Sequence, residues 1–377
     1  MLKLNHIITT LLLVVFSAWP FAAASAQGET PQIRITQVDN SKFPNVTVYV
    51  SATNAAGEPV GVDPSTIQIQ ENGQLMQLTD VQGGGEAVGQ QSLPVTTMLV
   101  MDISGSMDKN NKLAAAKEAA KSYVSQMRSG DQAGLITYDT QVYTVQSITA
   151  DKAALTNAID GLKTGSDTAM YNALVQAEKA LDGVSGRKAI IVLTDGLDNK
   201  SQSKAEDVIN GIGQSGLTIS AVGFGDASTL GQSGLNEAAL KSLAEKSGGV
   251  YGYADNAEVL KALYQQQSRA LQSEYRVTYV SPSTLRDGVN RNLTVSLSGT
   301  PVSAEGKYNP GGVLPEVSTR SWSMFAIILV GLLVLLFVPI LLSFGRGLFS
   351  GARAKSGGGR SFGKASQPAA RGRIKLK

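Results

Sequence analysis

The sequence predicts a doubly wound α/β domain, with a mostly parallel sheet and helices on both faces, inserted in or flanked by a small antiparallel β-sandwich. Within residues 95–272, short apolar runs alternate with segments of helical periodicity, which is typical of a parallel sheet. On either side, in residues 27–94 and 273–300, apolar residues recur at every second position, as in half-buried antiparallel strands. An uncharged apolar run at 324–342 predicts one C-terminal transmembrane helix, within 322–343.

The α/β domain is predicted from its order of elements. Buried strands are expected at 98–101, 133–137, 189–193 and 219–222. Helical spacing is clearest in one set of apolar residues, namely Leu113, Ala116, Ala120, Tyr123 and Met127. The last helix of the domain is expected at 256–272.

The flanking β-strands show period-two patterns on both sides of this domain. Before it they include Val46, Val48 and Val50, and then Ile67 and Ile69 ahead of an Asn72-Gly73 turn. After it the pattern returns in two further sets, Tyr275, Val277 and Tyr279, and Leu293, Val295 and Leu297. We infer that both sides complete one sandwich, with a Gly-rich linker at 82–91. Two unrelated β segments are the alternative.

The two ends of the chain carry targeting signals. Residues 1–26 have the pattern of a signal peptide, with small residues ending at Ala26; a retained anchor is the alternative. The short signal and the absence of cysteine favour a bacterial source. Residues 301–321 are rich in Pro and Gly and predict an extended stalk. The segment 322–343 is apolar on all sides, which favours a membrane span over a buried core helix.

Charge predicts the orientation in the membrane. Of the 33 basic residues, nine lie in 346–377, which contains no acid, and one is Lys3, so 23 remain against 30 acids in 27–345. The basic tail, 344–377, is therefore expected to be cytoplasmic and the N-terminal ectodomain periplasmic or extracellular, in a single-pass protein of the cell membrane. The tail is expected to lie near anionic lipid, and no nucleic acid partner is expected.

A cluster of oxygen side chains is predicted where two buried strands end. Asp102-Ile103-Ser104-Gly105-Ser106 follows the first strand, and alternate side chains of an extended loop point the same way. Asp195 follows a second buried strand, and Thr168 is expected to open a helix. Ligands of open α/β sheets bind at the carboxyl ends of strands. Taken singly, Asp195 is typical of a turn and Thr168 of a helix N-cap, whereas together they favour a hard divalent cation.

These segments resemble the von Willebrand factor type A domain and its metal-ion-dependent adhesion site. The family pattern, Asp-x-Ser-x-Ser with a later threonine and aspartate, is matched by Asp102, Ser104, Ser106, Thr168 and Asp195. Thr164 lies near Thr168, and the helix-opening context favours Thr168. The resemblance covers roughly residues 95–268 and is supported by Gly130-Asp131-Gln132-Ala133-Gly134-Leu135 and Leu193-Thr194-Asp195-Gly196. It implies a Rossmann-like sheet.

The resemblance implies a binding module rather than an enzyme. Such domains hold Mg²⁺, or Mn²⁺ or Ca²⁺, with one coordination position left for an exposed Asp or Glu of a partner protein. We expect Mg²⁺ here, a protein partner and no small-molecule substrate. The alternative is a scaffold or assembly factor for a pilus, secretion or other envelope complex.

Enzyme chemistry is disfavoured by the residues that the sequence offers. The only histidine, His6, lies in the signal segment, and there is no cysteine, so the mature chain lacks the residues for His catalysis and for Cys or His zinc sites. Ser106-Met107-Asp108-Lys109 and Lys163-Thr164-Gly165 match two motifs of penicillin-binding serine acylases. They lie too close together for that family, and no Ser-Asp-Asn lies between them.

Overall fold

The computed structural model describes residues 31–84, 93–213, 216–225, 235–312 and 322–348, with the side chains of the last segment described over 323–338. The predicted signal peptide, 1–26, lies outside the described residues. So do the part of the predicted linker after residue 84 and the part of the predicted tail after residue 348. The chain divides into two compact units at residue 318.

The N-terminal part contributes five strands: β1 (Gln32–Asp39), β2 (Asn45–Thr53), β3 (Ile67–Glu71), β4 (Gln74–Leu75) and β5 (Leu78–Gly83). The strands of the α/β domain are β6 (Val95–Asp102), β7 (Gln132–Tyr138), β8 (Val142–Thr149), β9 (Arg187–Thr194), β10 (Thr218–Phe224) and β11 (Tyr251–Ala254). Its helices are α1 (Lys112–Gln126), α2 (Lys152–Asp160), α3 (Met170–Leu181), α4 (Ala205–Gly211), α5 (Glu237–Lys246) and α6 (Ala257–Gln272). The elements that follow are β12 (Tyr275–Val280), β13 (Arg291–Leu297), β14 (Ser303–Tyr308) and α7 (Trp322–Leu348).

Strands from both sides of the α/β domain form the two sheets of the sandwich. One sheet has the order β1-β2-β12-β5 and the other β14-β13-β3-β4. In the first, Val277 of β12 lies opposite Val48 of β2; in the second, Val295 of β13 lies opposite Ile69 of β3. Their alternate apolar side chains form one buried core. The α/β domain is thus an insertion in the sandwich.

The sandwich extends further along the chain than the sequence predicted. Residues 303–308 were expected in the stalk, but they form β14, antiparallel to β13. The bridge between Asp287 and Gly312 then holds the next part of the chain against the β12–β13 loop. The prolines at 301 and 310 suggested an extended stalk. The residues between them alternate between exposed and partly buried positions, as in an edge strand. A stalk starting at 301 is therefore wrong; residues 313–321 lie outside the described residues.

The central sheet of the α/β domain has the order β11-β10-β9-β6-β7-β8, parallel except for β8. Its middle strands, β6 and β9, are buried along their whole length. Helices α1, α2 and α6 pack on one face and α3, α4 and α5 on the other, each over a continuous apolar core. The doubly wound arrangement expected from the sequence is confirmed.

The α/β domain docks on the outer face of the first sandwich sheet. Tyr49 points away from the sandwich core, yet only 3% of it is exposed. The Arg187 guanidinium lies 5.8 Å from the centre of its ring. The Thr218 hydroxyl, at the start of β10, donates a hydrogen bond to the carbonyl of Thr36. The ends of β9 and β10 opposite to the predicted site therefore rest on the sandwich.

The C-terminal helix, α7, coincides with the segment 322–343 predicted to span a membrane. All its described side chains, over 323–338, are exposed, and most are apolar. Judged on the described residues alone, none of the helices combines the length and the hydropathy needed to cross a bilayer.

Candidate metal centre

The first predicted segment leaves β6 and turns at once into a short 3₁₀ helix. The backbone N–H of Ser104 donates to Asp102 Oδ1 over 2.8 Å, which folds the loop back on the strand end. The 3₁₀ segment starts at Gly105, so residues 102–106 do not form the extended loop that the sequence predicted. The serines still meet, because the Oγ atoms of Ser104 and Ser106 lie 3.0 Å apart.

Asp195 joins this cluster from the neighbouring strand. Met101 of β6 pairs with Leu193 of the parallel strand β9, so both strands end at the same edge of the sheet. The Ser106 hydroxyl donates to Asp195 Oδ1 over 2.6 Å. Four of the five predicted ligands, Asp102, Ser104, Ser106 and Asp195, therefore belong to one hydrogen-bonded group.

Asp102 is the most enclosed member of the group. It is fully buried, and its Oδ2 accepts a 2.9 Å hydrogen bond from the Thr194 hydroxyl. Burial raises the pKa of the Asp102 carboxyl to about 6; hydrogen bonding from Ser104 opposes the rise and the charge of Asp195 adds to it. Two buried carboxylates in one hydrogen-bonded group favour a cation beside them.

Thr168 lies on a third loop that reaches the same edge of the sheet. It is buried, and its Oγ1 is 4.0 Å from where a Cβ on Gly196 would be, directly after Asp195. Its backbone N–H donates to Asn199 Oδ1 over 3.0 Å, and its carbonyl accepts from the N–H groups of Asn199 and Lys200. Helix α3 begins at Met170, so Thr168 precedes the helix and does not open it. Thr164 is only partly buried.

Main-chain hydrogen bonds fix this third loop against the first. The N–H of Gly105 donates to the Ser166 carbonyl over 2.7 Å, and that of Gly165 donates to the Ile103 carbonyl over 2.6 Å. Gly165 also packs against Asp139, whose carboxylate would overlap any Cβ at that position. Because residue 165 has no side chain, the loop that carries Thr168 can pass this close to Asp139.

Two residues of the site were not predicted from the sequence. The Thr194 hydroxyl donates a hydrogen bond to Asp102. The position of Thr194 in the motif Leu193-Thr194-Asp195-Gly196 could have indicated its place in the site. Lys112 forms an ion pair with Asp195, its Nζ 2.7 Å from Oδ2. No local pattern indicates this pair, because its partners are 83 residues apart and meet only through the sheet.

The donor set suits a hard divalent cation. It consists of two carboxylates and three hydroxyls, all oxygen, which is the ligand type that Mg²⁺, Mn²⁺ and Ca²⁺ prefer. Within the part of the chain that the structure describes, no group of three or more His, Cys, Asp or Glu side chains is placed to hold a metal. The five proposed ligands offer oxygen atoms and neither nitrogen nor sulfur, and such a donor set favours a hard cation over a soft one.

A family comparison agrees with the predicted fold. Residues 97–197 match the model of the von Willebrand factor type A domain, a range that includes all five predicted ligands. The chain therefore contains a von Willebrand factor type A domain.

Individual relatives match part of the chain. A UPF0353 protein of Mycobacterium leprae (strain Br4923) is 30% identical over 218 residues, which are 51% of this chain and 65% of that protein. The uncharacterized protein YfbK of Escherichia coli K12 is 27% identical over 192 residues, 48% of this chain and 32% of that one. The chain thus covers less than two thirds of either relative. A solved von Willebrand factor type A structure from Catenulispora acidiphila is 17% identical to this chain, with a TM-score of 0.44. The matched part is 74% of this chain and 72% of the chain in that structure.

Proposed function

We propose that this protein binds one divalent cation, Mg²⁺ in the first instance, and through it captures an acidic side chain of a partner protein. The observation that carries the proposal is the hydrogen-bonded group of Asp102, Ser104, Ser106 and Asp195 where β6 and β9 end, with Thr168 beside it. The match to the von Willebrand factor type A domain supports it, because the matched range, 97–197, includes all five predicted ligands.

The chain's own residues would hold the ion and keep its charge available. Asp102 and Asp195 offset a divalent charge, and the three hydroxyls of Ser104, Ser106 and Thr168 add neutral oxygens. The ion would supply a positive centre with a coordination position for a carboxylate. The protein then acts as a binding module, not as an enzyme, and no small-molecule substrate is needed.

The proposed position of this module is outside the cell membrane. We infer that 322–343 spans the bilayer, from the apolar run at 324–342, and that the tail after it is cytoplasmic, from its nine basic residues. Protease added to intact cells or spheroplasts should remove the α/β domain and leave an epitope on the tail intact. Loss of the tail epitope with the ectodomain preserved would contradict this orientation.

Calorimetry on the full chain tests the metal site. Titration with MgCl₂ or MnCl₂ should show one site, and either Asp102→Ala or Asp195→Ala should abolish it. Asp182→Ala is the matched control, because Asp182 is an exposed acid that follows α3, on the loop leading into β9. Equal binding in Asp195→Ala and Asp182→Ala would show that the ion lies elsewhere.

Affinity capture tests the partner. The chain immobilised in Mg²⁺ should retain proteins from native membranes that chelator releases, and Asp102→Ala should fail to retain them. A carboxylate-blocking reagent applied to those membranes should have the same effect as chelator. Retention that survives both treatments would contradict capture through the ion. Recovery of several subunits of one envelope complex would identify the module as an assembly scaffold.

A further inference from the structure

Lys112 places a positive charge inside the candidate metal centre. Its Nζ lies 2.7 Å from Asp195 Oδ2, and the two side chains are only 15% and 0% exposed. The other oxygen of the same carboxylate, Oδ1, accepts the hydroxyl of Ser106. The Asp195 carboxylate therefore links the ammonium directly to the group of proposed ligands.

The position of Lys112 in its own helix is unfavourable without such a partner. It is the first residue of α1, where the helix dipole disfavours a cation, and the first turn contains no acid. The chain enters the helix through Asn110 and Asn111, both in the left-handed region with φ of 53° and 59°. Asn111 makes no side-chain cap. The local sequence thus forgoes two ordinary stabilising features of a helix start, as is common at functional sites.

We propose that Lys112 is a built-in counter-ion of the site, which competes with the divalent cation for Asp195 and so sets the affinity for metal. The inference rests on the proposed metal site. In the absence of metal, the ammonium neutralises one of two buried carboxylates. A divalent ion held by the same carboxylate and by Ser106 lies near the ammonium and is repelled by it.

The surroundings of Lys112 give the ammonium a place to move. Lys112 lines an open cleft of about 690 Å³ beside the start of α1. The same cleft is lined by Asp255, an acid outside the metal centre. A lysine side chain is long and flexible enough to leave Asp195 and point its charge towards this acid and water.

The test compares Mg²⁺ binding by the full chain and by three single variants, using calorimetry and melting temperature. Lys112→Met removes the charge and keeps the bulk of the side chain, and Lys112→Gln removes the charge and keeps a donor for Asp195. Lys121→Met is the matched control, because Lys121 lies on the same helix and pairs with acids outside the site, Glu118 and Asp160. All three variants change the net charge equally.

Both Lys112 variants should bind Mg²⁺ about tenfold more tightly than the wild type, equivalent to about 1.4 kcal/mol. In chelator they should melt at a lower temperature, since a buried carboxylate has lost its partner, and Mg²⁺ should raise their melting temperature more than it raises that of the wild type. Lys121→Met should bind Mg²⁺ like the wild type.

The outcomes separate this inference from the proposed function. Mg²⁺ affinity in both Lys112 variants that equals or falls below that of the wild type overturns the counter-ion role and leaves the metal site standing. Equal tightening in Lys121→Met also overturns it, because the effect would then come from net charge. Absence of Mg²⁺ binding in the wild type and in all variants overturns the proposed function together with the inference. If Lys112→Met melts below the working temperature in chelator, the dependence of melting on Mg²⁺ concentration gives its affinity.

Discussion

Arg187 and Glu274 form a buried ion pair where the α/β domain joins the sandwich. Arg187 is the first residue of β9, and Glu274 lies between the last helix, α6, and the sandwich strand β12. The Arg187 side chain is 1% exposed and that of Glu274 4%, and a second contact joins Nη2 to Oε1 over 2.9 Å. Gln37 of β1 accepts a further hydrogen bond from the guanidinium. Three segments of the chain are therefore held together at one point.

Loss of either partner of this pair should destabilise the protein strongly. We expect Arg187→Met or Glu274→Leu to cost about 3–5 kcal/mol, because each leaves an uncompensated buried charge, and the double variant to recover much of that loss. Thermal unfolding measures both. The control is Arg276→Met, whose partner Asp80 is 3.1 Å away on the surface; it should cost less than about 1 kcal/mol. A double variant as unstable as the sum of the singles would contradict the pairing.

Glu71 should be the most sensitive polar residue of the sandwich. It is 1% exposed and accepts hydrogen bonds from the hydroxyls of Tyr279, Tyr308 and Ser281 over 2.8–2.9 Å. Glu71→Leu removes the acceptor that three buried hydroxyls share, together with the carboxylate 3.8 Å from the buried Arg291 guanidinium. It should cost about 3 kcal/mol or more, against about 1 kcal/mol for Tyr308→Phe. The melting temperatures of both variants provide the measurement. Glu305→Leu, the same change at an exposed position, should cost little. If Glu305→Leu and Glu71→Leu lost the same stability, Glu71 would not be an important acceptor of the sandwich core.

Glu178 on α3 should make stability depend on pH. Its side chain is buried against α4, its Oε1 has no hydrogen-bond partner among the described residues, and burial raises the pKa of its carboxyl from 4.5 to about 8. The folded state therefore retains a proton that the unfolded state has lost, so stability falls as pH rises from about 4.5 to about 8. In Glu178→Gln, the free energy of unfolding should fall by about 1–3 kcal/mol less between pH 5 and pH 8.5 than it does in the wild type. Denaturant unfolding at the two pH values measures the difference. A wild type and a variant that lose the same stability between these pH values would show that Glu178 is not responsible.

The sequence predicted those parts of the fold that depend on long apolar periodicity. Strands β6, β7, β9 and β10 were found because buried parallel strands are continuous apolar runs. Strands β8 and β11 were missed: one is a half-exposed edge strand and the other a four-residue strand rich in tyrosine. In a half-buried strand the residues that alternate with Val48 and Val50, such as Tyr49, would face solvent, yet Tyr49 is buried. A period-two pattern does not reveal a domain that docks on the polar side of the strand.

The sequence predicted the oxygen ligands of the candidate site, but it did not predict the positive charge of Lys112 beside them. Asp102, Ser104, Ser106 and Asp195 were expected to meet because parallel strands end at the same edge, and the structure brings them into one hydrogen-bonded group. The contribution of Lys112 depends on where α1 starts and on the direction of its first side chain. Those two features follow from two left-handed residues, which sequence spacing does not reveal.

Gly165→Ala should weaken metal binding although residue 165 is not itself a proposed ligand. A Cβ at this position would overlap the Asp139 carboxylate, so the loop must shift, and with it Ser166 and the buried Thr168. We expect roughly a tenfold loss of Mg²⁺ affinity by calorimetry, since a displacement of one hard ligand breaks the near-octahedral geometry that Mg²⁺ requires. Gly161→Ala is the matched control, because a Cβ there makes only ordinary contacts, the nearest at 3.5 Å.

A second substitution identifies the cause of that loss. Asp139→Ala in the Gly165→Ala background removes the carboxylate atoms that lie 2.0 and 2.7 Å from the new Cβ and leaves only the Asp139 Cβ, at 2.8 Å. The loop can then return part of the way, and Mg²⁺ affinity should recover by several-fold. The single variant Asp139→Ala should bind nearly as the wild type does, because its carboxylate contacts the N–H of Gln141 and not the proposed ligands. If Gly165→Ala binds Mg²⁺ as tightly as Gly161→Ala, the position of this loop does not affect the ion. Thr168 would then have to be removed from the proposed ligands, leaving Asp102, Ser104, Ser106 and Asp195.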